Sequence, residues 1–200
     1  MRTESLIMPY RDLYEICQKQ SLHIPRNFIK SEVLRLTGKE KIRVVCTDSD
    51  PSLCRGMFIS FGNNESNIAR QCGCDVIVLA RGMNRCWQRI VYIKELMHLF
   101  DAHAESTFGG HEFDTLLSEM SGAETPTRSP QWRSEIKAFW MALACLCPED
   151  KRINFMELRK SGKIDDYSIA LQLRIPQQYV PRLFQQNYGL IIQEILNNGS

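Results

Sequence analysis

The chain has 200 residues, an apolar content of 44% and a net charge of +2. These values suit one compact domain, with or without a helical extension, and exclude a general electrostatic attraction to nucleic acid or to an acidic membrane. The sequence contains neither a signal-peptide pattern nor an apolar run of about 18 residues that could cross a bilayer. We therefore expect a soluble, cytoplasmic protein with no membrane association.

The first quarter of the chain predicts two helices and a strand. The first helix covers Tyr10 to Lys19, and the second ends near Gly38. Between them lies the turn-forming run Leu22 to Pro25, in which His23 is interpreted as a turn residue. The apolar, β-branched run Ile42 to Cys46 then predicts a strand.

A second strand and a long helix follow. The strand covers Cys74 to Ala80, which is rich in β-branched residues and bounded by Gly73 and Gly82. Asn84 is a suitable N-cap for a helix from Arg85 to about Ala102. Apolar residues occur nearly all round this helix, which indicates that it is largely buried and that its polar side chains need partners.

This helix carries a pattern one residue away from the zinc-protease signature His-Glu-x-x-His. Glu95 and His98 hold the second and last positions, but Lys94 stands where the first histidine should be. Two histidines four positions apart on a helix occupy two corners of a zinc site, and the glutamate takes a proton from the metal-bound water. A protonated lysine offers no lone pair to a metal, so Lys94 is interpreted as a fixed positive charge that replaces the metal ion.

Two further blocks follow in the order found in a known family. Glu135 begins an Ala-rich apolar run that ends at Pro148, and a short helical pair is predicted from Ile169 to Phe184. Together with the elements before them, these blocks resemble the ImmA/IrrE-like metallopeptidases over most of the chain. The resemblance implies that Glu135 occupies the place of the third zinc ligand, after His98. Met97 replaces the glycine common before that histidine, a change expected to affect packing alone.

The fold class expected from these observations is α+β. A small, mixed or mainly antiparallel zincin-like sheet should pack on the active-site helix within residues 1–150, followed by a helix-turn-helix-like extension over residues 151–200. The predicted function is that of a metallopeptidase-like protein that has lost its zinc, holds no cofactor and acts as a binding or regulatory partner of another protein. The resemblance implies a phage, mobile-element or stress-repressor setting. The sequence does not define the partner or the oligomeric state.

An active metallo-endopeptidase that cleaves a regulatory protein is the first alternative. Glu95 would then act as the catalytic base, and zinc would be held by His98 and Glu135. A further histidine, His103 or His111, would have to replace the missing ligand.

The second alternative is a DNA-binding regulator. The run from Asp165 to Phe184 could form a helix-turn-helix in which Gln177 to Gln186 is the recognition helix. Arg182 is the only cation of that helix, whereas sequence readers usually carry more lysine and arginine for phosphate contacts. A helical pair that packs on the domain is therefore preferred.

Two other features of the sequence bear on the site. The eight cysteines lack the usual spacing of a zinc site, and Cys145 and Cys147 are interpreted as small core residues. The segment from Glu105 to Pro130, rich in Gly, Pro, Ser and Thr, is predicted to be a long loop. It is either a lid over the site or a surface insertion.

Overall fold

Helices surround a small sheet in the computed structural model, which describes residues 9–62, 66–101 and 129–198. The helices within these ranges are α1 (Pro9–Gln18), α2 (Arg26–Thr37), α3 (Asn67–Cys72), α4 (Arg85–Met97), α5 (Pro130–Leu146), α6 (Glu149–Lys160), α7 (Asp166–Leu173) and α8 (Tyr188–Asn198). The strands are β1 (Ile42–Thr47), β2 (Gly56–Ile59) and β3 (Asp75–Ala80), and two 3-10 helices cover His98–Phe100 and Gln177–Phe184. The predicted α+β class is confirmed.

The sheet is mixed and has β3 at its centre. Its strand order is β1-β3-β2, with β1 parallel and β2 antiparallel to β3. Ile77 of β3 is paired with Val44 on one side and with Phe58 on the other. A strand buried on both faces needs apolar residues at successive positions, and the β-branched run predicted for this strand supplies them. All of β3 except Val78 is buried.

Helix α4 is the buried helix that the sequence predicts. The side chain of Asn84 accepts a hydrogen bond from the Trp87 N–H at 3.0 Å, which confirms the predicted N-cap. The α-helix ends at Met97 rather than near Ala102, and the chain continues as the 3-10 helix His98–Phe100. His98 therefore still lies about one helical turn beyond Lys94.

Helix α5 packs against α4. Its first residues are mainly polar, and the rest of the helix is mainly apolar. The Ser129 side chain accepts a hydrogen bond from the Trp132 N–H at 3.1 Å, and Pro130 occupies the first turn, where its missing N–H costs nothing. Cys145 in α5 and Cys147 just beyond it are buried among apolar side chains, which confirms their predicted role in the core.

The C-terminal helices contribute to the same hydrophobic core as the sheet and α4. The segment from Gln177 to Gln186, considered above as a recognition helix, forms a 3-10 helix over Gln177–Phe184 rather than an α-helix and packs on the domain, as the preferred interpretation expected. Pro181 lies inside it and lacks the N–H that an α-helix would use, while Val180 and Leu183 are buried.

No helix in the described ranges is long and apolar enough to cross a membrane.

Strand β2 lies so close to α4 that a substitution at Gly56 can test the packing between them. A Cβ atom on Gly56 would lie 2.4 Å from Cγ1 of Val91 and 3.3 Å from the Glu95 side chain. We predict that Gly56→Ala lowers the free energy of unfolding by about 1–3 kcal/mol, the usual cost of overpacking. Chemical denaturation should show this loss and its partial recovery in the Gly56→Ala/Val91→Ala double variant.

Gly82 supplies the matched control, since its added Cβ would meet only Pro51, at 3.8 Å. Gly82→Ala should leave the stability nearly unchanged. An equal effect at both glycines would contradict the close approach of β2 to α4.

Candidate functional site

Helices α4 and α5 bring the sequence-predicted site residues together. Lys94 and Glu95 lie in the last turn of α4, His98 begins the 3-10 helix, and Glu135 projects from the second turn of α5. The Nε2 atom of His98 is 3.3 Å from Oε1 of Glu135. The predicted convergence of these two distant residues is therefore confirmed.

The Lys94 ammonium lies between two carboxylates. Its Nζ atom is 2.8 Å from Oε1 of Glu95 and in still closer contact with Oε2 of Glu135. Burial by itself would lower the pKa of Lys94, but the two carboxylates outweigh it and raise that pKa well above its ordinary value. Lys94 is therefore a permanent cation at neutral pH, and it pairs with both glutamates.

Glu95 is not available as a free base in this arrangement. Its side chain is only 2% exposed, its Oε1 atom pairs with Lys94, and its Oε2 atom lies 3.7 Å from His98 Nε2. A general base must reach the proton of a bound water. Here both oxygens of Glu95 face cationic or nitrogen groups of the protein instead.

A second layer of polar residues fixes the His98 ring. Nδ1 of His98 is 2.6 Å from Oδ2 of Asp101, which also accepts a 2.5 Å hydrogen bond from the Ser134 hydroxyl. Nζ of Lys137 lies 3.3 Å from the other Asp101 oxygen. A carboxylate on one ring nitrogen directs the other nitrogen, and metal-binding histidines are oriented in this way. Nε2 of His98 points accordingly towards the two glutamates.

The charges of this layer shift several pKa values. Burial would lower the pKa of His98, but Asp101 and Glu135 reverse the shift and raise it from 6.5 to about 10. Burial would raise the pKa values of Glu135 and Asp101. The Lys94 and His98 cations overcome burial at Glu135 and lower its pKa far below the usual range, while His98, Ser134 and Lys137 lower that of Asp101. The cluster thus exists as a network of ion pairs.

Strand β2 closes one side of the site. The Phe58 ring stacks on the His98 ring, with 6.2 Å between the centroids. The closeness of Gly56 to Glu95, described above, leaves no room for a side chain between β2 and this part of α4. These contacts hold the imidazole and the glutamate against the sheet.

The arrangement does not fit a zinc ion. His98 and Glu135 are the two usual ligands present, whereas catalytic zinc sites take three protein ligands. The Lys94 ammonium fills the space between the carboxylates that a metal ion would need. Among the described residues, no group of three or more His, Cys, Asp or Glu side chains is placed to hold a metal ion. His103, His111 and most of the predicted loop lie outside the described ranges.

Sequence reasoning assigned no role to Asp101 or Ser134. The signal for Asp101 was its position three residues after His98, which is within reach of a side chain one helical turn away. Ser134 directly precedes Glu135, but only the packing of α5 against α4 shows that its hydroxyl faces Asp101. No sequence signal connected Phe58 with His98.

Comparison of the chain with protein-family models, curated proteins and solved structures finds no match. The chemistry of the site therefore rests on the motif and on the geometry described above.

The first prediction for this site concerns the charge of Lys94. Lys94→Met retains most of the side-chain volume but leaves the carboxylates of Glu95 and Glu135 without their ammonium. Removing one partner of a buried ion pair costs about 3–5 kcal/mol, and the lower end applies because the side chains of Lys94 and Glu135 are 18% and 23% exposed. Thermal and chemical denaturation should show this loss.

Lys41→Met is the control, because Lys41 is exposed. Adding Glu135→Gln to Lys94→Met should restore part of the stability, since one unpaired charge is removed. Equal stability of Lys94→Met and the wild-type protein would contradict the ion-pair network.

The second prediction concerns pH. A group whose pKa rises on folding stabilises the protein fully below its unfolded pKa and loses that effect as the pH rises through its folded pKa. For His98 this loss of stability occurs between about pH 6.5 and about pH 10. The difference in unfolding free energy between wild type and His98→Gln should therefore be largest near pH 6 and shrink towards pH 9.

The decrease should approach about 1.4 kcal/mol per pH unit in the middle of the window, the value for one proton. Urea denaturation of both proteins at matched pH and ionic strength measures it. A difference that stays constant from pH 6 to pH 9 would show that His98 does not gain a proton on folding.

Proposed function

We propose that this chain is a zincin-like protein of the ImmA/IrrE type in which an internal ammonium has replaced the catalytic zinc, and that it acts by binding a protein partner. The observation that carries the proposal is the position of Lys94, whose Nζ atom contacts the carboxylates of both Glu95 and Glu135. The other residues of the site support the proposal, because they fit a zinc site in which Lys94 has replaced one ligand.

The residues around the ammonium retain features that a metal site needs. His98 is directed by Asp101, and its buried Nε2 atom faces Oε1 of Glu135 at 3.3 Å and Oε2 of Glu95 at 3.7 Å. A carboxylate on the other ring nitrogen orients metal-binding histidines in the same way. In a zinc-binding ancestor, as proposed, the Nε2 atom would have faced the metal.

Loss of peptidase activity follows from the same geometry. Zinc would acidify a bound water when present, but Lys94 cannot coordinate and Glu95 is held by Lys94. What remains is a charged, partly accessible cluster beside an edge strand. In the described part of the chain, β2 is paired only with β3. Its other edge can accept an extended protein segment, a common mode of peptide recognition.

The proposal places the protein in the cytoplasm. All eight cysteines are free thiols in the structure, a state that a reducing compartment maintains. The proposed partner is another protein.

Zinc binding tests the proposal. The wild-type protein, purified without a His tag, should contain little zinc and show no metal-dependent peptidase activity. Lys94→His should rebuild two histidines at i and i+4, with Glu135 as the third ligand, and should bind about one zinc per chain. Elemental analysis after dialysis against a chelator gives the stoichiometry. Activity need not return, because the substrate cleft also contributes to catalysis.

Lys94→His combined with Glu135→Gln is the matched control and should lose the zinc. Stoichiometric, chelator-sensitive zinc in the wild-type protein would overturn the proposal in favour of an active metallopeptidase. Failure of Lys94→His to bind zinc would argue against an ancestral metal site.

A further inference from the structure

A second group of charged residues lies around Arg89, apart from the Lys94 ion pairs. Arg89 is a residue of α4 and is 8% exposed. One of its amino groups, Nη2, donates a 2.5 Å hydrogen bond to the carbonyl oxygen of Ile24, whereas its Nε atom is buried without a partner. No carboxylate in the described ranges forms an ion pair with it. A buried charge without a counter-ion is unfavourable, so this arginine points to a missing anion.

The beginning of α2 lies beside Arg89. Ile24 directly precedes Pro25, the N-cap of α2, which offers no side-chain acceptor to the first N–H groups. The first turn of the 12-residue helix contains no acidic residue. The N–H groups of a helix N-terminus and its dipole attract anions. The guanidinium of Arg89 and the first turn of α2 therefore both favour an anionic ligand.

Two exposed arginines flank this position. The Arg26 guanidinium lies 4.9 Å from the centre of the Tyr92 ring, and Tyr92 is one turn beyond Arg89 on α4. Arg174 follows α7 in a left-handed conformation. Burial, and then the charges of Arg174 and Arg26, lower the pKa of Arg89 to about 10. Both exposed arginines thus add positive charge around Arg89.

We infer that the Arg89 cluster, which consists of Arg26, Arg89, Arg174 and the first turn of α2, binds a phosphate group. A phosphate monoester carries close to two negative charges and three acceptor oxygens, which suits several guanidinium groups and helix N–H donors at once. A carboxylate carries one charge and two acceptor oxygens, which matches three guanidinium groups less well. This inference is independent of the function proposed for the Lys94 site.

The simpler interpretation is that Arg89 only caps the Ile24 carbonyl. That role uses Nη2 and accounts for neither the buried, unpaired Nε nor the absence of an acidic partner in the described chain. It also predicts no dependence on Arg26 or Arg174, whose side chains are exposed. The two interpretations therefore differ in a measurable way.

Calorimetric titration of the full chain with inorganic phosphate, at constant ionic strength, tests the inference. The wild-type protein should bind one phosphate per chain saturably, and its melting temperature should rise with phosphate concentration because the ligand binds the folded state. Arg26→Ala and Arg174→Ala should each weaken binding by about tenfold or more, the loss expected for a hydrogen bond to a charged group. Both positions are exposed, so the variants should fold.

Arg43→Ala, which removes an exposed arginine from β1, should bind phosphate like the wild type, and acetate should bind more weakly than phosphate. Tighter binding of a phosphoserine peptide would show that the phosphate is carried by a partner protein, whereas equal binding would indicate free phosphate. No saturable phosphate binding, equal binding by all four proteins, or equal affinity for acetate would overturn the inference.

Discussion

The contact of one ammonium group with two carboxylates determines the arrangement of the site. Nζ of Lys94 joins Glu95 on its own helix to Glu135 on α5. Two carboxylates in so small a space repel each other unless a cation lies between them, because little water remains to screen them. A metal dication and an ammonium both meet that need, but only the metal ion can activate water. The proposed exchange of a metal ion for an ammonium would preserve the packing of α4 against α5 and remove the chemistry.

The outer residues are consistent with this exchange. Asp101 and Ser134 hold the imidazole of His98, and Phe58 covers its face. Such a layer serves to orient a ligand, yet it also stabilises an ion-pair network by satisfying its remaining polar atoms. Once in place, the network keeps the geometry even though no metal is needed to hold it. The site can therefore remain rigid and charged.

The Arg89 cluster presents the opposite electrostatic situation on the same helix. At the end of α4 every cation has a carboxylate within reach, whereas Arg89 donates only to a backbone carbonyl among the described residues. Helix α4 thus carries a balanced polar cluster at one end and an uncompensated cation nearer the other. The two regions differ because the elements opposite them differ: α5 presents Glu135, while the beginning of α2 presents N–H groups.

The sequence by itself determined several elements and the residue types of the motif. The β-branched run identified the central strand β3, Asn84 identified the start of α4, and the motif placed Lys94 one helical turn before His98, because all of these depend on local spacing and residue type. Tertiary structure alone decided the direction of strand pairing, the contact of Lys94 with Glu135, and the roles of Asp101 and Ser134. It also decided that Gln177–Phe184 is a 3-10 helix whose buried side chains hold it in the core. These outcomes depend on which surfaces meet, and side chains far apart in sequence fix that through packing.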